Sequence, residues 1–372
     1  RIVGVFDSSS SDGDVEEDLC AAPLAPRRAA PWATRRATTL AATRGMAQLL
    51  PSLERARSLA RGACGKVEAF RWRSGASRLA ALPDEFAVKV IDMATALKDA
   101  SLVAQVQREK AALEALESCE CSFLVRFFGA CKDGGKLFFV LEYLPGEPLH
   151  RHLRHAPGGF LPAQHAKVYV AQIASALVSM HQLGWVHRDL KANNVVLNGR
   201  GDAVLIDFGR AAKPDAKGRT RTKLGIGHHC APEVVRGEPH GFPVDWWSLG
   251  VLLVELLSGY PPFPYLPGND DPDYDQKLKD LQASIVRGIR GLDFELASHM
   301  SGEAAALVAE LMVLEPESRI CGDKVIQHRF FTDLRAEDLG GIAPPPILPS
   351  DLRTAQDVRL FSGGAKDPFA DW

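Results

Sequence analysis

The sequence carries almost no net charge: 44 Lys and Arg against 46 Asp and Glu leave −2 over 372 residues. No global field therefore points to nucleic acid or to a membrane surface. A long apolar run is also missing. The densest, residues 249–257, falls well short of the roughly 18 residues of a membrane span and contains Glu255. Cysteine is sparse, seven residues without framework spacing, and Cys119 and Cys121 stand too close together for an ordinary zinc pair. A reduced, cytoplasmic setting, with the nucleus as a second compartment, is the expectation. The chain starts at Arg1 rather than Met, as a piece of a longer protein would, and shows no signal-peptide pattern there. The first 52 residues lack any sustained helical or strand period. Residues 7–18 are Ser-rich and acidic, and residues 21–47 are rich in Ala, Arg and Pro, which reads as a disordered, solvated extension. What remains is ordinary for a globular protein, with 46% hydrophobic and 24% charged residues. It is too long for one small core, so two lobes with tails are expected.

The stretch that organises the chain is His187-Arg188-Asp189-Leu190-Lys191-Ala192-Asn193-Asn194, followed after a short apolar segment by Asp207-Phe208-Gly209. Phosphoryl transfer from a nucleotide needs a carboxylate to accept the proton of the attacking hydroxyl. It also needs a cation to offset charge on the transferred group, and oxygen ligands to hold Mg²⁺ against the phosphates. Asp189 fits the first role, Lys191 the second, and Asn194 with Asp207 the third. The octamer matches the catalytic loop H-R-D-L-x-x-x-N and the tripeptide the D-F-G motif, so the chain resembles the protein kinases.

Upstream, residues 59–67 resemble the Gly-rich loop of that family, with Ala60 in place of the first Gly. Phe86-Ala87-Val88-Lys89-Val90-Ile91 resembles its third strand. A Lys inside an apolar strand is costly unless paired. Glu109 is its expected partner, on a helix over residues 99–117 whose buried positions are read as Val103, Val106, Ala111, Leu113 and Leu116. Glu114 and Glu117 read as solvated acids. Residues 123–128 and 137–142 read as two paired strands joined by a turn at 132–135. The resemblance implies an ATP site made by Leu59, Gly62, Gly65, Val67, Ala87, Lys89, Leu141, Glu142, Leu144 and Val196, with the backbone of residues 142–144 as the hinge at the adenine edge. Catalytic roles fall on Asp189, Lys191, Lys89 and Glu109, and Mg²⁺ on Asn194 and Asp207.

The second half reads as mainly helical, with helices over 162–183 (Pro162 in its first turn), from 244 to 257, and over 302–314. Residues 210–230 are basic and polar, as an activation loop is, and Ala231-Pro232-Glu233 matches its A-P-E end. The resemblance pairs Glu233 with Arg319 and sets Asp245 beneath the catalytic-loop backbone. Residues 244–263, V-D-W-W-S-L-G-V-L-L-V-E-L-L-S-G-Y-P-P-F, bring the chain closest to the AGC group of Ser/Thr kinases, particularly its cyclic-nucleotide-dependent branch. The fold implied is α+β and bilobal, with a mostly β small lobe at 53–144, a mostly α large lobe at 145–331 and a C-terminal tail at 332–372. Thr222 sits where that branch carries its activating phosphosite, with Thr220 as rival and Arg188 as the phosphate's partner. The family's second basic contact is Ala212 here, with Lys213 beside it as a substitute. The last four residues, Phe369-Ala370-Asp371-Trp372, resemble an aromatic motif that docks on the small lobe. No cyclic-nucleotide-binding domain is present, so regulation would come from a separate chain. The partners expected are protein substrates, with neither nucleic acid nor membrane.

The chain departs from the family in several places. Ile226 replaces a Thr that bonds the catalytic Asp and Lys. His228 and His229 replace a Glu and a Tyr, and adjacent His read better as packing than as metal ligands. Asn193 replaces a Glu that reads a substrate Arg, leaving Glu147 and Glu255 as readers of basic residues. Lys223 replaces an apolar side chain. An acidic insertion carries Asp270, Asp271, Asp273 and Asp275. Three functions compete: an active Ser/Thr kinase, a pseudokinase scaffold, and a small-molecule kinase. Retention of every motif residue disfavours the second, and an activation segment built as a peptide platform disfavours the third.

Overall fold

The computed structural model describes residues 49–62, 65–76, 82–222, 224–267, 270–291 and 300–334. The expectations for residues 1–48, for the tail beyond 334 with its terminal aromatics, and for Ala63, Cys64 and Lys223 lie outside the described residues.

The small lobe is built on one antiparallel sheet. Its strands are β1 (Leu53–Gly62), β2 (Gly65–Trp72), β3 (Glu85–Asp92), β4 (Phe127–Asp133) and β5 (Lys136–Glu142), in the order β1-β2-β3-β5-β4. Period-two alternation divides β3 between two environments. Phe86, Val88 and Val90 join Leu53, Trp72, Phe128 and Val140 in an outer cluster, where Trp72, Phe86 and Phe128 meet edge to face with centroids 5.9 and 5.6 Å apart. Ala87 and Lys89 turn to the opposite face. There lies α1 (Ala100–Leu116), whose N-cap Asp99 accepts a bond from the Ser101 N–H at 2.8 Å.

Two expectations fail here. The buried face of α1 is Leu102, Val106, Glu109, Ala112, Leu113 and Leu116, whereas Val103 is half-buried and Ala111 exposed. Glu109 must face inward to meet Lys89. With that position fixed, the 3.6-residue period turns Leu102 inward and Ala111 to solvent. The fourth strand begins at Phe127, not at 123. Leu124 bridges Leu205, and the Val125 N–H donates to the Leu205 carbonyl at 3.0 Å, so the large lobe claims the start of that apolar run.

The large lobe is mostly helical: α2 (Leu149–His155), α3 (Ala163–Gln182), α4 (Pro243–Ser258), α5 (Tyr274–Arg287) and α6 (Gly302–Leu311), with several single turns and a small hairpin of β6 (Val195–Leu197) and β7 (Ala203–Leu205). Pro162 is the N-cap of α3, one position before the first turn. The third expected helix ends at Leu311, three residues early. Every residue of α4 is buried, as a helix apolar all round must be. Gly250 lets α6 approach it: a Cβ there would stand 2.6 Å from Met312 Cγ and 3.1 Å from Leu311 Cβ. Each fully buried Leu, Val or Phe of this core contributes about 1.5–3 kcal/mol. The result is a rigid floor on which the β6–β7 hairpin and the loops around it rest. The fold is α+β and bilobal, as expected.

Candidate active site

The cleft is closed at the back by one ion pair. Lys89 Nζ lies 2.5 Å from Glu109 Oε1 and 3.5 Å from Asp207 Oδ1. Burial pushes the Glu109 carboxyl up, against the pull of the Lys89 ammonium. The sheet register brings the neighbouring positions together. Val67 pairs with Lys89 and Ala87 with Leu141, so all four share one face. Leu59 lies in β1 at a register shift between Ser58 and Ala60, and Gly62 and Gly65 pair at the β1–β2 turn. At the hinge the Glu142 N–H is spent on the Arg126 carbonyl at 2.8 Å. Below it, Pro148 bridges Val196, the Gly146 N–H donates to the Leu197 carbonyl at 2.9 Å, and the Leu197 N–H donates to the Glu147 carbonyl at 3.1 Å. Val196 is thereby tied to the segment just after the hinge, and Leu144 packs against the main core.

The catalytic loop hangs from a single buried carboxylate. Asp245, in the first turn of α4, accepts the His187 N–H at 2.8 Å, the Arg188 N–H at 2.7 Å and a contact from His181 Nε2 at 2.8 Å. Burial raises its pKa, but His181, the nearby His187 and these backbone donors outweigh that and hold it low. Arg188 and Asp207 both carry left-handed backbone, with φ of 65° and 61°, an arrangement that costs on the order of 1–3 kcal/mol unless its surroundings enforce it.

Asp189, 5% exposed, sits at the centre. Lys191 Nζ is 3.0 Å from both of its carboxylate oxygens. Asn194 Nδ2 donates to its Oδ2 and to its backbone carbonyl, each at 2.8 Å. Arg210 Nη1 stands 3.4 Å and His229 Nε2 3.0 Å from Oδ1. Burial pushes the Asp189 carboxyl up, yet His229, Lys191 and Arg210 hold it well below the ordinary range. With its amide nitrogen occupied, Asn194 keeps its Oδ1 as an acceptor. Asp207, its side chain 46% exposed, uses Oδ1 both to face Lys89 and to accept the Gly209 N–H at 3.2 Å. Two oxygen donors of this kind suit Mg²⁺, which takes few protein ligands and keeps waters and phosphate oxygens.

A model of the protein kinase domain matches residues 54–331. The chain belongs to the protein kinase domain family. Among curated relatives it is 34% identical over 288 residues to "Atypical protein kinase C" of Drosophila melanogaster, covering 75% of this chain and 46% of the relative. It is 33% identical over 255 residues to "Protein kinase 2" of Dictyostelium discoideum, covering 68% and 50%. To "cAMP-dependent protein kinase catalytic subunit 3" of Drosophila melanogaster it is 32% identical over 292 residues, covering 77% and 46%. The chain thus spans about half the length of these relatives, and the resemblance to AGC-group kinases read from residues 244–263 agrees with them.

Around this kinase centre, several expected contacts are present and others differ. Glu233 and Arg319 form the buried bidentate pair, at 2.9 and 3.2 Å. Glu147 is half-buried and bonded to Arg151 at 3.0 Å. Glu255 is 3% exposed, capped by the Tyr265 hydroxyl at 2.5 Å, and burial raises its pKa to about 7. Asn193 is half-buried. Asp271 is neutralised within the insertion by Lys277 at 2.9 Å. Thr222 and Thr220 hydroxyls lie 3.2 Å apart, and Thr220 exchanges backbone bonds with His240. Lys213 is exposed, with its Cε beside Gly184. Arg210 and Arg108 stand near Arg188. Burial, with those two cations, lowers the Arg188 pKa to about 10. Both of its Nη groups are buried without a hydrogen-bond partner among the described residues.

Sequence reasoning missed His229, Arg210 and Arg108. The signal for His229 was its place in the sequence, three residues after Ile226, both of them departures from the family pattern. Among the described residues Cys131 and Cys230 are free thiols, whereas Cys321 takes part in a disulfide, which the expected reduced setting did not foresee. A disulfide needs only two sulfurs in reach, and a count of cysteines does not show which are close.

Proposed function

We propose that this chain is a Ser/Thr protein kinase of the AGC type, moving the ATP γ-phosphoryl to Ser or Thr hydroxyls of protein substrates. The observation that carries the reading is the convergence of Lys89, Glu109, Asp207, Asp189, Lys191 and Asn194 on one cleft. Lys89, aligned by Glu109, holds the α- and β-phosphates. Asp189 accepts the proton of the incoming hydroxyl, and Lys191 offsets charge on the transferred group. Asp207 and Asn194 would hold Mg²⁺, which when bound neutralises phosphate charge. Leu59, Gly62, Gly65, Val67, Ala87, Leu141, Glu142, Leu144 and Val196 surround the nucleotide. The lobe boundaries at 53–144 and 145–331 follow from this reading.

Glu147 and Glu255 read basic residues of the substrate, with Asn193 loosening that choice. Thr222 is the activating phosphosite. Its segment runs beside His240, whose imidazole feels the Arg188 charge, and a phosphate there would give the buried guanidinium the anion it lacks. A cytoplasmic setting and a separate regulatory chain complete the proposal. The pseudokinase reading gains nothing from the geometry, since no motif residue is displaced from the cleft.

The test is a positional peptide library with Mg-ATP, with Asp189→Asn as the blank and mass spectrometry of Thr222. Phosphate appearing on Ser and Thr peptides only with the wild type is the expected result, with Thr222→Ala slower than wild type. ATP hydrolysis without peptide labelling would instead point to a small-molecule kinase, and ATP binding with neither to a scaffold.

A further inference from the structure

Resting on the kinase reading above, we propose that His229 is a positioning residue for Asp189, its Nε2–H anchoring the carboxylate that Ile226 cannot reach with a hydroxyl. His229 and Asp189 are 4% and 5% exposed, and Nε2 stands 3.0 Å from Oδ1. The approach is off the axis of a well-formed hydrogen bond, since neither ring nitrogen completes one among the described residues. The contact is therefore electrostatic as it stands, and a small turn of the ring aligns it.

The surroundings fix which nitrogen carries the proton. Burial pushes the His229 pKa down more strongly than Asp189 pulls it up, so the ring is neutral. A neutral ring has one N–H. On Nδ1 it would leave the Nε2 lone pair facing a carboxylate oxygen at 3.0 Å, which is repulsive. On Nε2 it is attractive, so that tautomer is selected. The ring is held from both sides. The Ser248 hydroxyl of α4 donates to the His229 carbonyl at 2.8 Å. Gly227 leaves the ring its space: a Cβ there would lie 2.8 Å from Cε1 and 3.0 Å from Nδ1. Ile226 meanwhile packs on the core. The segment has thus exchanged a hydroxyl at 226 for an imidazole three residues later, with a glycine between them to admit the ring. A packing role alone would explain the burial of His229. It would not explain a ring nitrogen 3.0 Å from the carboxylate of the base, beside a residue that lacks a donor.

The experiment compares wild type, His229→Phe, Gly227→Ala and His229→Phe/Ile226→Thr. Steady-state kinetics are run with Mg-ATP and the best library peptide, and each variant is melted alongside. Phe keeps the aromatic packing and removes the N–H. The expected result is a fall in kcat of about tenfold to a hundredfold, the size of one hydrogen bond to a charged group, with KM for ATP unchanged. Gly227→Ala should move kcat the same way, and the double variant should regain most of the loss. A folded His229→Phe with wild-type kcat, or a double variant no faster than the single one, would overturn the proposal. A second readout does not need activity: ¹⁵N NMR of the wild-type imidazoles should show His229 neutral and protonated on Nε2 across pH 6 to 8. The Nδ1–H tautomer would overturn the assignment even if His229→Phe fails to fold. A wild type that binds ATP yet transfers nothing would end the kinase reading and leave the tautomer result to stand by itself.

Discussion

The catalytic loop and the end of the activation segment meet at Asp189, yet they are held in different ways. The loop is fixed from below by Asp245, a carboxylate with no solvent exposure whose oxygens accept two consecutive backbone N–H groups and face His181. The stretch from Ile226 to Cys230 is fixed by a few weaker contacts: Ser248 on the His229 carbonyl, Cys230 against Gly227, and the off-axis approach of His229 to Asp189. The loop's motif residues are unchanged from the family pattern, while Ile226, His228 and His229 all depart from it. A position locked by several buried partners cannot be exchanged alone, because each partner would be left unsatisfied. A position with one partner can be exchanged if a neighbour supplies the same donor.

The sharpest way to break that contrast is to remove the anchor on the loop side. Asp245→Ala strands two buried N–H groups and leaves a left-handed Arg188 unsupported. The expected loss is on the order of 5 kcal/mol from charge-assisted bonds alone, a large part of the stability of a domain. Denaturant unfolding should show a midpoint collapse or no cooperative transition, whereas His229→Phe should melt close to wild type. Equal melting of the two variants would show that the loop is not held more firmly than the segment.

Next in size is the pair that ends the activation segment. Arg319 is fully buried against Glu233 and also donates to the Pro243 and Val313 carbonyls. Glu233→Ala leaves that guanidinium uncompensated, at a cost of about 3–5 kcal/mol. Chemical denaturation with and without the substitution measures it directly.

How much of this was legible in the sequence follows the same division. Lys89, Glu109, Asp189, Lys191, Asn194 and Asp207 were readable from residue types whose chemistry needs that pattern, whereas Asp245 and the Glu233–Arg319 pair were implied by the resemblance to the protein kinases. The strand start at Phe127 was not, because the apolar run from 123 serves both lobes and only tertiary pairing with Leu205 divides it. The buried face of α1 slipped because an inward Glu was not counted when the apolar stripe was drawn. Arg210 and Arg108 come from different elements and have no fixed spacing from Arg188, so no local pattern marks them. The Tyr265 cap on Glu255 was not legible either, because it lies in a turn whose path the sequence did not show.

Glu255 sharpens the comparison through pH. Burial raises its pKa from 4.5 to about 7, so the folded state holds the proton more tightly than the unfolded chain does. A raised folded pKa gives stability that is full below the unfolded value and is lost as pH climbs through the folded one. Wild type should therefore lose stability relative to Glu255→Gln between about pH 4.5 and 7 and stay level above. The shift is worth roughly 3 kcal/mol at most. Unfolding midpoints of both proteins at pH 5 and pH 8 check this. A difference that does not change with pH would mean that the Tyr265 hydroxyl compensates the buried charge in full.

The smallest effect tests whether burial, rather than the presence of a pair, does the anchoring. Arg219 in the activation segment bonds Glu317 at 2.6 Å, two residues from Arg319, so two ion pairs tie this region to the same turn. The side chains of Arg219 and Glu317 are 38% and 50% exposed, against 0% and 2% for Arg319 and Glu233. Exposed pairs gain little, because water screens the charges and two long side chains must be ordered; the usual worth is about 0–1 kcal/mol. Arg219→Ala should therefore shift the unfolding midpoint by well under a quarter of the Glu233→Ala shift, and 0.5 M salt should erase most of it. If Arg219→Ala instead cost as much as Glu233→Ala, the activation segment would be anchored along its length. Thr220 and Thr222 would then stand on a fixed strand, with no need of a phosphate to order them.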